Sequence, residues 1–434
     1  MLELIDGRDQ GAPVHIARPS PVTGRDDPMA AVSAIVDDVR LRGDTALIEL
    51  TQRHDGARLT ADTLRVPEEE IAQARNLVRP EFLAALEVMA ERLRATCERQ
   101  LPAGWIDERT DERVGELIRP LRRAGVYVPG GRASYPSSVL MAAVPAAVAG
   151  VQGIAVTTPP SGNGQVPEAV LAACAVSGVT EVYRVGGAQA IAALAYGTET
   201  VRPVDKIVGP GNIYVTLAKR LVQSWTGIDS EAGPTEILIV ADDTSDPRIL
   251  ALDLIAQAEH GPNGCHALVT WLPEVAERVL EVMDVEVARH PNAEEVENAL
   301  IEGGRVVLVR DAHHALETAN AFAPEHLQLD FAGAYDALEE VRNAGSVFVG
   351  PFSPVAVGDY VGGTNHVLPT GGSARWASGL GVQDFVKRIY VSSYEKPALQ
   401  RLAAHVEALA QAEGLTGHAR SVRARLDELG PFVP

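Results

Sequence analysis

From Val139 onward the chain alternates short apolar runs with Ala-rich helical segments, and this rhythm constrains the fold more than any other feature. The strand candidates are Ile154–Thr158, Glu181–Val185, Lys206–Val208 and Glu236–Val240, with helices over Pro167–Ser177, Ala188–Tyr196 and Tyr214–Trp225. The pattern resumes with helix Pro247–Glu259, strand Ala267–Trp271, helix Pro273–Val287, strand Arg305–Val309, helix His313–Phe322 and strand Leu327–Asp330. Neighbouring parallel strands cannot be joined by a hairpin. Each needs a crossover, usually a helix, so the alternation predicts an α/β fold built on parallel sheets. A chain of 434 residues has room for two such sheets in tandem.

Upstream the rhythm is different. Pro13, Pro19, Pro21 and Pro28 leave the stretch to Asp26 without periodicity, so it reads as an arm. Helical spacing follows over Pro28–Leu50, interrupted at Gly43-Asp44, and over Glu68–Arg99. Leu117–Val128 turns strand-like and ends at Pro129-Gly130-Gly131, and Ala398–Leu429 is again helical and polar. The expected division is an arm at 1–26, a first α/β domain of 27–126 with 237–380, a second at 127–236, and a helical tail at 381–434.

Charge narrows the partners. The chain carries 38 Lys and Arg against 58 Asp and Glu, a net charge of −20, with no basic run beyond Arg122-Arg123. Such a surface repels phosphate backbones, so neither nucleic acid nor an anionic membrane is an expected partner. The apolar run Val139–Val156 contains Pro145, Gly150, Gln152 and Gly153, and reads as a buried helix turning into a buried strand. Cys97, Cys174 and Cys265 form no CxxC, and the N-terminus shows no basic, apolar leader. Both point to a reducing, cytoplasmic setting and away from a cysteine zinc site.

Four Gly-containing loops follow strand candidates: Val128–Gly131, Pro160–Gly164, Val185–Gln189 and Val208–Asn212. Any one is an ordinary turn, but four at consecutive strand ends suggest a nucleotide site. A complete G-x-G-x-x-G is missing, and no P-loop motif occurs. Gln257 and His260, at i and i+3, share one helix face and could give a metal an oxygen and a nitrogen. A His near a helix C-terminus is equally a dipole partner. Pro324-Glu325-His326 places a carboxyl beside an imidazole, as acid–base work requires. Val357–Gly372 is a long Gly-rich segment bearing Asp359 and His366, and the tail carries Glu413 and His418. Gln257, His260, Asp359 and a further His would make a thiolate-free set suited to Zn²⁺ or Mn²⁺ in an open catalytic site. Neither H-E-x-x-H nor G-x-S-x-G is present, and Cys265 is a weak candidate nucleophile. A zinc hydrolase using Glu325 as base remains an alternative on these residues alone.

In chain order, several strings together resemble the L-histidinol dehydrogenase family: Gly125–Gly131, Val185–Leu194, Gly209–Asn212, Ala232–Glu236, Gln257–Gly261, Ala323–Leu327, Gly358–Tyr360 and His366–Gly371. The resemblance implies two incomplete Rossmann-like domains and a homodimer served by the arm and the tail. It further implies one Zn²⁺ per subunit and the oxidation of L-histidinol through L-histidinal to L-histidine with two NAD⁺. It assigns zinc to Gln257, His260, Asp359 and His418, and NAD⁺ to Tyr127, Gln189 and Asn212. Substrate contacts fall on Thr235, His366 and Glu413, together with the zinc residues and His326. Glu325 and His326 become the acid–base pair. Thr235 stands where family members often carry Ser, and the hydroxyl is kept.

Overall fold

The computed structural model describes residues 2–19, 28–130, 134–231 and 233–428. Gly131, Ala232, Pro21, Asp26 and Leu429, which the sequence reading singled out, lie outside them. The described chain divides into two compact units, one of residues 1–100 and 121–385, the other of 101–120 and 386–434.

The first unit contains both parallel sheets. One has five strands, in the order Glu181–Arg184, Gly153–Thr158, Arg123–Tyr127, Lys206–Val208, Gly227–Ile228. The other has six: Glu3–Asp6, Gly304–Leu308, Cys265–Thr270, Glu236–Ala241, His326–Asp330, Ser346–Val349. Helices cover parallel sheets on both faces, so inner strands read as unbroken apolar runs. Every residue of Glu236–Ala241 and of Cys265–Thr270 is buried. The crossover helices start where their sequences can satisfy free N–H groups. Asp246 caps Pro247–Ala258 through Arg248 N, and Asp311 caps Ala312–Phe322 through His314 N. Helix Pro136–Ala149, almost wholly buried, runs into strand Gly153–Thr158 as expected. Among the described residues no helix is long and apolar enough to cross a membrane.

Several features differ from expectation. The arm is part of the six-stranded sheet: Glu3–Asp6 pairs with Gly304–Leu308, and Val14 and Ile16 are buried in its core. Residues 28–100 and 121–126 share one compact unit with 237–380, but their helices pack beside the five-stranded sheet. Helices Met29–Arg42 and Asp44–Asp55 pack on Gly187–Tyr196 and Ile213–Val222, while Pro80–Arg99 packs on Pro136–Ala149. The apolar stripe Val32, Val36 and Val39 meets the small Ala face of Gly187–Tyr196, which accounts for the choice of the five-stranded sheet. Leu117–Val128 is two strands, Glu112–Pro120 and Arg123–Tyr127, in different sheets. A helix at Ala293–Gly303 was also not anticipated.

The second unit is an antiparallel sheet, Val386–Tyr394, Glu112–Pro120, Trp105–Arg109, with helices Lys396–Ala412 and Thr416–Glu428. The tail expected over 381–434 is therefore helical only from Lys396.

Candidate active site

Helix Ala312–Phe322 ends at Ala323, a non-glycine residue in the left-handed region with φ +53°. Pro324 cannot continue the helix. The chain then enters strand His326–Asp330, which places Glu325 and His326 at its amino end, beside Thr235 and Glu236 at the start of strand Glu236–Ala241. Glu325 Oε2 accepts hydrogen bonds from Thr235 Oγ1 at 2.8 Å and from Glu236 N at 2.9 Å. Burial nevertheless dominates and pushes the Glu325 carboxyl up to about 8.

His326 Nδ1 lies 2.9 Å from the carbonyl oxygen of Glu236, so Nδ1 carries the proton and donates it. Nε2 is left with its lone pair, buried and without a hydrogen-bond partner, 3.9 Å from Asp359 Oδ1. Burial holds the imidazole below its ordinary pKa against the opposing charges of Asp359 and Glu236. A neutral imidazole with a defined tautomer and a free nitrogen is equipped to accept a proton.

Asp359 closes the short helix Val355–Asp359. The preceding Gly358 is required by a close approach: a Cβ there would lie 2.5 Å from Phe348 Cε1, and the Phe348 ring is 6.0 Å from that of His326. The Asp359 carbonyl accepts from His366 Nδ1 at 2.8 Å, and burial lowers His366 to about 4. Burial raises Asp359, while the charges of His326 and His260 pull it down. Gln257, buried near the end of helix Pro247–Ala258, donates from Nε2 to Thr235 Oγ1. Thr235, Gln257, Glu325, His326, Asp359 and His366 thus form one connected cluster, and His260 lies within electrostatic reach of it.

The Gln257 amide oxygen, the His260 imidazole and the Asp359 carboxylate are hard and borderline donors without thiolate. They fit three protein ligands of an open zinc site. Among the described residues no three His, Cys, Asp or Glu side chains converge as a metal cluster; in this set Gln257 supplies the third donor. Glu413 caps the C-terminal end of Lys396–Ala412 and His418 lies in Thr416–Glu428, both exposed and both in the second unit. Cys265 is buried, and burial pushes its thiol up to about 12, which removes it as a nucleophile.

A cavity of about 810 Å³ opens over the carboxyl ends of the five-stranded sheet. Tyr127, Gln189 and Asn212, the three expected cofactor residues, all line it. Tyr127 Oη accepts from Gly187 N at 3.1 Å, and the Asn212 side chain caps helix Ile213–Val222. Gly209, at φ +114°, passes so close to Tyr127 that a Cβ would lie 2.2 Å from the Tyr127 carbonyl. His54 and Asp55 also line the cavity, and the sequence reading missed them. Asp55 Oδ2 is buried without a partner, and burial pushes the carboxyl up to about 6. A polar helix end followed by Gly56 reads as a solvated terminus, which explains the omission.

A nucleotide-sized cavity over one parallel sheet and a buried carboxyl–imidazole pair on the other are the working parts of an oxidoreductase. Comparison with known proteins narrows this class. A family model described as histidinol dehydrogenase matches residues 20–426. The chain is 47% identical over 402 residues to histidinol dehydrogenase of Methanothermobacter thermautotrophicus, covering 92% of this chain and 94% of that one. It is 48% identical over 403 residues to histidinol dehydrogenase of Rhizobium meliloti, covering 93% of each. The fold matches the crystal structure of histidinol dehydrogenase from Elizabethkingia anophelis with a TM-score of 0.91 at 34% identity, over 98% of each chain. The chain belongs to the histidinol dehydrogenase family.

Proposed function

We propose that this chain oxidises L-histidinol to L-histidine in two successive hydride transfers, the closing steps of histidine biosynthesis. In the first, the alcohol loses a proton and a hydride to give L-histidinal. In the second, the aldehyde takes up water and the resulting gem-diol loses a second hydride and two protons to give the carboxylate. The observation that carries this reading is the buried Glu325–His326 pair, with Nδ1 of His326 tied to Glu236 and Nε2 free.

His326 Nε2 accepts the alcohol proton as hydride leaves the carbinol carbon. It then serves again as base on the gem-diol. Glu325, held by Thr235 and Glu236, removes the proton from the attacking water. Its raised pKa means that this step gains strength as the pH climbs toward 8. Burial of both groups keeps bulk water from the aldehyde. NAD⁺, when bound against Tyr127, Gln189 and Asn212, supplies the hydride acceptor for each step. Gln257, His260, Asp359 and His418 would hold Zn²⁺, whose chemistry there would be that of a template for the substrate's nitrogens. Thr235, His366 and Glu413 are the remaining substrate contacts, in a homodimer whose tails contribute Glu413 and His418. The five-stranded sheet is the cofactor side and the six-stranded sheet the chemical side.

The test is the NADH formed per L-histidinol consumed, with and without a chelator. Two NADH per substrate, lost on chelation and restored by Zn²⁺, is the expected result. One NADH with free aldehyde removes the role given to Glu325. No NADH at all overturns the substrate.

A further inference from the structure

Arg18 belongs to the arm and sits in no motif. Its side chain is 28% exposed, against 4% for the Glu236 side chain it pairs with. Nε donates to Glu236 Oε1 at 2.5 Å, and Nη2 donates to Oε2 at 3.1 Å. Nη2 also donates to the carbonyl oxygen of Phe322 at 2.7 Å. The guanidinium carbon lies 3.7 Å from the centroid of the Phe322 ring. One side chain therefore ties the first residue of strand Glu236–Ala241 to the last residue of helix Ala312–Phe322.

Those two residues frame the acid–base pair. The Glu236 N–H donates to Glu325, and the Glu236 carbonyl accepts from His326. Phe322 leads through the left-handed Ala323 and Pro324 directly to Glu325. Gly371 N donates to Glu236 Oε1 at 3.1 Å, which adds the loop after His366 to the same anchor.

We propose that Arg18 is a positioning residue for the acid–base pair, acting through Glu236 and Phe322 on Glu325 and His326. The proposal rests on the function assigned above. The planar fork of Arg matches a carboxylate in two parallel hydrogen bonds while keeping donors for a carbonyl and a face for a ring. Lys has the charge but not the fork. Without Arg18, Glu236 is a buried carboxylate without its countercharge, and the Phe322 carbonyl at the helix end loses a donor. Either change lets the Glu236 backbone drift. Misplacement by about 1 Å is enough to cost catalysis heavily.

The experiment compares the full chain with Arg18→Met, Arg18→Lys, the double variant Arg18→Met/Glu236→Gln, and Arg8→Met. Arg8 pairs with Asp6 in the open on the same arm and serves as the control. The readouts are kcat with L-histidinol, KM for NAD⁺ and the thermal midpoint. Arg18→Met is expected to lower kcat by about 10- to 100-fold with KM for NAD⁺ held within about twofold, while Arg8→Met leaves both unchanged. Arg18→Lys recovers part of kcat. The double variant removes the unpaired carboxylate and regains the thermal midpoint, yet kcat stays low; it is the variant to read if Arg18→Met does not fold. A folded double variant with wild-type kcat overturns the proposal, since Arg18 would then only neutralise Glu236. So does a loss in which KM for NAD⁺, kcat and the midpoint move together. A wild-type chain that reduces no NAD⁺ with L-histidinol overturns the function itself, and the proposal with it.

Discussion

The two parallel sheets present their candidate sites at opposite ends. The five-stranded sheet offers its carboxyl ends: Tyr127 and Thr158 are the last residues of their strands, and Gln189 and Asn212 follow just beyond two others. The six-stranded sheet offers its amino ends, since Glu236 and His326 are the first residues of theirs. Carboxyl ends open onto helix N-termini and close-packed turns, where backbone N–H groups suit a phosphate-bearing ligand. Amino ends have no such supply of free N–H groups. There the sheet instead presents side chains whose protons are fixed by a neighbouring strand's backbone. On the function proposed, nucleotide binding falls to the ends of one sheet, and proton transfer to the side chains of the other.

The comparison can be broken most severely at His326. His326→Asn keeps a donor to the Glu236 carbonyl but removes the free nitrogen. It should lower kcat by about 10²- to 10⁴-fold in steady-state assays with either L-histidinol or L-histidinal. KM for NAD⁺ should stay put, because the cavity belongs to the other sheet. Glu325→Gln should slow the aldehyde half by about 10²-fold and spare the alcohol half. Stopped-flow traces that show equal slowing of both halves would remove the division of labour. The same variant sharpens the pH dependence. Glu325 has its pKa raised to about 8, so its basic form accumulates as pH rises through that value. The aldehyde half should therefore climb toward an apparent pKa near 8, and Glu325→Gln should erase that limb.

On the other sheet, Tyr127→Phe removes the acceptor for Gly187 N and should raise KM for NAD⁺ by about fivefold, with the pH profile unchanged. The smallest effect concerns stability. His266 is fully buried with neither ring nitrogen bonded, and burial lowers it to about 4. Its folded pKa lies below its unfolded one, so its cost is absent above the ordinary imidazole value and grows as pH falls toward 4. His266→Leu should relieve up to roughly 2–3 kcal/mol of that acid sensitivity, read as a higher urea midpoint at pH 5 with little change at pH 8.

Much of this architecture was legible because buried parallel strands betray themselves. Glu236–Ala241 and Cys265–Thr270 are short apolar runs between helices, and only a covered sheet accepts such runs. Edge strands gave less away. Glu3–Asp6 and Ser346–Val349 have four residues each, and Trp105–Arg109 is exposed along its whole length, so no alternation marks it. At the site, Glu325, His326, Asp359 and Gln257 carry recognisable chemistry in motifs. Glu236 does not, because it works on both members of the pair through its backbone. Arg18 was hidden for another reason: its partners Glu236 and Phe322 lie 218 and 304 residues away.

The pairing of Glu3–Asp6 with Gly304–Leu308 sets a timetable for synthesis. Every residue lining the cavity lies between Ile35 and Tyr214. That half leaves the ribosome first. The opening strand must wait some 300 residues for its neighbour, and His366 comes later still. On the function proposed, the residues that would cradle the nucleotide are therefore made before those that would do chemistry with it.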